Sequence, residues 1–344
     1  MTTSDITIVR IDPLDGDLVD SWIDAWAAVY RHDFPAELVH TPAFQRLRLL
    51  LPPASYHVER HVAVLEGAVV GCLELFMPLD DNRHLVSVEL GVRPEHRRRG
   101  IGTALLALAE RRAAASDRDT LLTGVIDSLD GGVRYDPAGR RFAEARGYAE
   151  VDSEIHRRND LTLVDEAELD RLYAEAWEHA AGYELVQWSG RAPDDLVEGV
   201  ARMRERMYTD PPMGEELDIR PAEYDAARVR AEERVAAARG ELRLASAVRH
   251  VETGEVAGFT DLLVFPGDEE HAGQNDTIVD AAHRGKRLGT ILKIANQRLL
   301  REHRPKVRYV HTWNAEANRH MIAVNEAVGY RAMSRAIDVQ KKLA

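Results

Sequence analysis

Two stretches of this chain repeat one another at a constant spacing. His96-Arg97, Gly102-Thr103 and Leu105 recur as His283-Arg284, Gly289-Thr290 and Leu292. Upstream, Gly67 and Gly71 recur as Gly254 and Gly258 at the same spacing, each pair in a hairpin-like setting. Downstream, Gly147-Tyr148 recurs as Gly329-Tyr330 at a slightly shorter spacing, with a small deletion in between. Three separated features near one offset predict two copies of one α/β unit, a duplicated domain rather than a solenoid. At 344 residues each copy is long enough to bury its own core. The expected division is 1–163, a linking helix over 164–182, and 183–344.

The repeated element has a definite physical reading. Leu85 to Val92 alternates as a strand, and Thr103 to Ala115 is rich in Ala and Leu and predicts a helix. Between them lies Arg97-Arg98-Arg99-Gly100-Ile101-Gly102. Glycines let the backbone approach an anion, and the unpaired N–H groups of a helix's first turn point at it. A strand, such a turn and a helix therefore suit a diphosphate. The turn lacks the Gly-Lys-Ser/Thr of a P-loop and the G-x-G-x-x-G of a dinucleotide fold.

Composition narrows the partners. A net charge of −13 argues against nucleic acid and suits a cationic acceptor. No apolar run approaches membrane-spanning length and the N-terminus lacks a signal-like apolar core, so the expectation is a cytoplasmic protein without a membrane partner. Cys72 is the only cysteine and sits in an apolar run, as a core residue would. The histidines, among them His96, His283, His311 and His320, have no metal-ligand spacing, and no metal is expected. Trp22, Trp26 and Tyr30 form one helical stripe that predicts packing against a sheet, with the wall of an acceptor pocket as the other reading. Oligomeric state is not legible.

The lead-in Val92-Arg-Pro-Glu-His-Arg97, followed by Gly100 and Gly102, resembles motif A of the GCN5-related N-acetyltransferase (GNAT) family. The repeat extends the resemblance over nearly all of the chain as the family's tandem type. It implies an α/β (α+β) fold of two domains, each a mixed, mostly antiparallel central sheet flanked by helices, and acetyl-CoA (CoA) as cofactor. In the first half the implied cofactor contacts are Leu90, Val92, Arg97, Arg98, Arg99, Gly100, Ile101, Gly102 and Thr103. In the second they are Ile278, Val279, Arg284, Gly285, Lys286, Arg287, Leu288, Gly289 and Thr290. Arg287 stands where the first glycine belongs, with Gly285 two residues earlier to restore some backbone freedom.

The family also places an Asn that contacts pantetheine, and a Tyr general acid, before the Gly-aromatic pair. The first half has Asp136 and Ala143 there; the second has Asn318 and Asn325, with Asn314 upstream as a further cofactor contact. A neutral amide cannot give a proton to a thiolate, but Asn325 could hydrogen-bond the sulfur. Glu89 and its counterpart Asp276, on the strand beside the thioester, are the candidate bases. In the second half, Asp210, Glu215, Glu216 and Asp218 lie on the loop that the family uses to wall the acceptor, where they could receive a cationic amine. The implied reaction is direct attack by a primary amine of a small molecule or peptide on acetyl-CoA. Asn318 and the acidic loop favour the second half for chemistry. Two alternatives stand: catalysis in the first half, or a CoA-binding scaffold without turnover.

Overall fold

The computed structural model describes residues 6–343. In chain order the first half builds β1 (Thr7–Arg10), α1 (Gly16–Asp33), α2 (Pro42–Leu50), β2 (Tyr56–Leu65), β3 (Ala68–Pro78), β4 (Leu85–Val92), α3 (Ile101–Ala114), β5 (Thr120–Ser128), α4 (Ala138–Glu144) and β6 (Ala149–Asp160). The second half builds α5 (Glu166–Glu178), β7 (Tyr183–Ser189), α6 (Val197–Arg206), α7 (Ala226–Ala238), β8 (Leu242–His250), β9 (Val256–Val264) and β10 (His271–Val279). It closes with α8 (Leu288–His303), β11 (Tyr309–Ala315), α9 (Arg319–Ala327) and β12 (Tyr330–Lys342). Among the described residues no helix is long and apolar enough to cross a membrane.

The chain forms two compact units, and they do not follow the chain simply. Among the described residues, one holds 6–153, Met213–Arg220 and 334–343; the other holds Glu154–Pro212 and Pro221–Met333. Each unit thus takes its closing strand from the other half of the chain. In the first, β12 pairs antiparallel with β5 from Ser334 to Lys342, and its Ile337 and Val339 enter the core. In the second, Glu154–Asp160 of β6 pairs antiparallel with β11. The helix expected as a link, α5, belongs to the second unit, where Asp170 and Glu166 form ion pairs with Arg298 and Arg301 of α8.

Within each unit the strand pairing is antiparallel except at one place. In the first unit β4 runs parallel to β5 and pairs with it only over Leu85–Ser87. In the second, β10 runs parallel to β11 and pairs only over His271–Gly273. Beyond those three residues the strands part, which frees backbone groups on the rest of β4 and β10.

Local sequence explains the elements around this gap. Asp15 and Thr41 cap α1 and α2 by accepting from Leu18 and Phe44 N–H, and Pro42 takes the first turn of α2, where no donor is needed. Trp22 and Trp26 are fully buried and join Val62 and Cys72 in the core under α1. Gly91 is required there: a β-carbon on it would lie 2.8 Å from the Trp26 ring. The opposite face of the sheet packs Leu73, Leu75, Val86 and Val88 against Ile101 and Leu105 of α3.

Candidate active site

The two motif turns have one backbone. Arg97 and Arg284 share φ −66° and ψ 163°. Next come two left-handed residues: Arg98 (φ 63°) and Gly100 (φ 82°) in the first unit, Gly285 (φ 79°) and Arg287 (φ 54°) in the second. The glycine and the arginine have exchanged places. Arg287 adopts the conformation that Gly100 adopts at the head of α3, and its guanidinium turns away to Glu175, 2.6 Å distant. Each turn runs into a helix anchored by a buried apolar residue, Ile101 or Leu288.

In the first unit the gap between β4 and β5 is a cleft of about 730 Å³. Leu90 and Val92, the turn from Gly100 to Thr103, Val125 of β5 and Phe142 of α4 line it. Gly102 sits 3.4 Å, measured from where its β-carbon would be, from the Phe142 ring, so a side chain there would enter the passage. A left-handed glycine turn, a helix N-terminus and free strand backbone along one cleft fit the diphosphate and pantetheine arm of CoA. Thr103 accepts a hydrogen bond from Arg146, which stacks over Phe142.

The leading arginine braces the turn in both units. Arg97 donates Nε–H to the Val92 carbonyl at 3.1 Å and pairs with Asp33 at 2.5 Å and Asp136 at 3.7 Å. Arg284 donates to the Val279 carbonyl at 3.2 Å and pairs with Asp210 at 2.7 Å. Asp210, which also pairs with Arg206, is therefore a turn brace and does not stand open to a substrate amine. Arg98, Arg99 and Lys286 are exposed.

The other residues of the acidic loop lie elsewhere than expected. Glu215, Glu216 and Asp218 fall in the segment that belongs to the first unit, where Asp218 pairs with His84 at 3.2 Å and Lys342 at 2.9 Å. The hydrogen bond from the Lys342 ammonium is the main cause that holds its carboxyl below the usual range. Asn318, the implied pantetheine contact, is the N-cap of α9 and accepts from the Met321 N–H. Asn314 is on β11 and accepts from the Asn325 amide at 2.5 Å.

Glu89 occupies a charged row that the sequence reading did not anticipate. Arg60, Glu74 and Glu89 stand opposite one another on β2, β3 and β4. Arg60 donates to Glu74 at 2.7 Å, and Arg48 of α2 lies 4.0 Å from the same carboxylate. Burial, reinforced by the Glu74 charge and opposed by Arg48 and Arg60, raises the Glu89 carboxyl to about 7.

The second unit repeats the motif with different supports. Asp261, fully buried, accepts from Arg243, from the Asp276 N–H at 3.0 Å and from Asn275 at 3.3 Å. Arg204 reaches Asp261 at 3.5 Å and Asp276 at 3.8 Å. Burial and Asp261 raise the Asp276 carboxyl to about 7. Asp276 lies on a bulge of β10 and lines a polar cavity of about 270 Å³. Glu74 and Asp261 are separated by the same offset as His96 and His283, which is the signal that could have found them.

Comparison with known proteins agrees with this geometry. Residues 19–130 match the model of the acetyltransferase (GNAT) family. A tandem GNAT protein from the clavulanic acid biosynthesis pathway, solved without acetyl-CoA, is 30% identical; the match covers 98% of each chain with a TM-score of 0.82. At the level of fold alone, a GCN5-related N-acetyltransferase from Sphaerobacter thermophilus matches at 14% identity over 99% of this chain and 97% of that one, TM-score 0.67. A GCN5-related glucosamine N-acetyltransferase region of a fungal multi-domain β-N-acetylglucosaminidase does so at 16% over 98% of this chain and 38% of that one, TM-score 0.66. No curated protein sequence matches. The motif turn is built twice, and the likeness to a tandem relative runs from end to end: the chain belongs to the GNAT acetyltransferase family, in its tandem form.

Proposed function

We propose that the first unit transfers an acetyl group from acetyl-CoA to a primary amine of a small molecule or peptide, with Glu89 as the proton acceptor. The observation that carries this reading is the cleft of about 730 Å³ that joins the Gly100–Thr103 turn to the free part of β4, the strand that bears Glu89. Acetyl-CoA supplies the electrophile, a thioester carbonyl. The N–H groups at the start of α3 bind the diphosphate, and backbone groups of β4 beyond Ser87 orient the pantetheine arm. An amine arrives at neutral pH as an ammonium and must lose a proton before it can attack. Glu89, with a carboxyl near 7, is matched to that task. Of the two features that favour the second half, Asn318 caps α9, and in the acidic loop Asp210 pairs with Arg284 while Asp218 belongs to the first unit.

The test is CoA release by the full chain with acetyl-CoA and a panel of amino acids, polyamines, amino sugars and lysine peptides. Glu89→Gln should lower kcat/KM by about 10²–10⁴-fold, while Asp276→Asn keeps most of the wild-type rate. The reverse pattern moves the chemistry to the second unit. Acetyl-CoA binding without release across the panel supports the scaffold reading.

A further inference from the structure

We propose that Glu74 is the positioning residue for Glu89: its carboxylate, fixed by Arg60 and Arg48, keeps Glu89 able to take a proton from a substrate ammonium. This rests on the reading of Glu89 as proton acceptor. Two carboxylates directly opposite on antiparallel strands repel, and burial makes the repulsion costlier. A leucine at position 74 would pack the same space without that cost. Yet the second unit buries a carboxylate pair at the same offset, Asp261 and Asp276. Its supporting arginines, Arg204 and Arg243, come from positions unrelated by the repeat to Arg48 and Arg60. The pair recurs although its supports differ, as it would if the pair itself has the function.

Glu74 is wholly buried whereas Glu89 is half-buried, so Glu74 acts through Glu89. The groups that face this pair are Tyr30 of α1, Arg48 of α2, Arg60 of β2 and Cys72 of β3. Burial raises both Tyr30 and Cys72 and keeps them neutral. The charged neighbours of Glu89 are thus two guanidiniums and Glu74. Without the Glu74 charge both cations act on Glu89 unopposed, and it becomes a stronger acid that holds a proton less well.

The experiment is a carbon-13 NMR titration of the Glu89 carboxyl in the full chain, assigned with Glu89→Gln, beside the pH profile of kcat/KM for the best amine of the panel. In Glu74→Gln the midpoint and the acidic limb should both fall by at least about one pH unit, with kcat reduced and KM little changed. Glu74→Asp, which keeps the charge, should restore both. Arg48→Met should move the midpoint upward and remains informative if Glu74→Gln fails to fold. An unmoved midpoint in Glu74→Gln, or a shift of the same sign in Arg48→Met, overturns the proposal. Glu89→Gln at the wild-type rate would instead refute the reading of Glu89 as base, and the NMR midpoints would still report the coupling.

Discussion

Gly100 and Arg287 hold the same left-handed backbone at the heads of α3 and α8, with φ of 82° and 54°. An L-residue with a β-carbon loses roughly 1–2 kcal/mol in that region. The second unit bears that cost at Arg287, the first at Arg98, and each has a glycine at its other left-handed position.

Gly100→Val should therefore lower the unfolding free energy by about 1–2 kcal/mol or more, since β-branching makes the region still less accessible. Gly100→Asn should cost less, because Asn tolerates this conformation. Urea midpoints of the two variants check the order.

The turn was readable because all its determinants are local: a strand, two special backbone positions and a helix start. The exchange of β6 and β12 was not. A constant offset aligns the copies but does not say in which unit a strand pairs, since that choice depends on contacts distant in sequence. Met213–Arg220 escaped for the same reason. The capping role of Asn318 depends on where α9 starts, at Arg319, a boundary that spacing to Gly329 does not fix. Glu74 and Asp261 obey the repeat and were legible in principle, whereas Arg48, Arg60, Arg204 and Arg243 reach the same place from unaligned positions.

Gly91→Ala tests the packing of α1 on β4. The new methyl would stand 2.8 Å from the Trp26 ring and close to Val29, both in the buried core. Overpacking of this kind costs about 1–3 kcal/mol. Thermal unfolding should show a lowered Tm, and Trp26→Leu in the same chain should recover part of it.

Buried carboxyls also set the pH dependence of stability. Glu89 and Asp276 are raised from ordinary values of 4.5 and 3.8 to about 7, so between those limits the folded protein binds more protons than the unfolded one. The contribution of these two groups to stability then falls as pH rises through that window and levels off above it. Glu89→Gln removes the effect at one site. Relative to wild type, its Tm should gain between pH 5 and pH 8; an unchanged difference between the two would show that Glu89 is not held protonated by its surroundings.

The two motif turns can be separated by blocking each in turn. Gly102→Glu places a charged side chain beside Phe142 in the first cleft, and Gly289→Glu does the same at the second turn, where only Val279 lies within 4.0 Å. The direct measurement is the rate of CoA release by each variant at saturating amine. Gly102→Glu should lose roughly a hundredfold or more while Gly289→Glu stays near wild type. Loss confined to Gly289→Glu would contradict the assignment to the first unit.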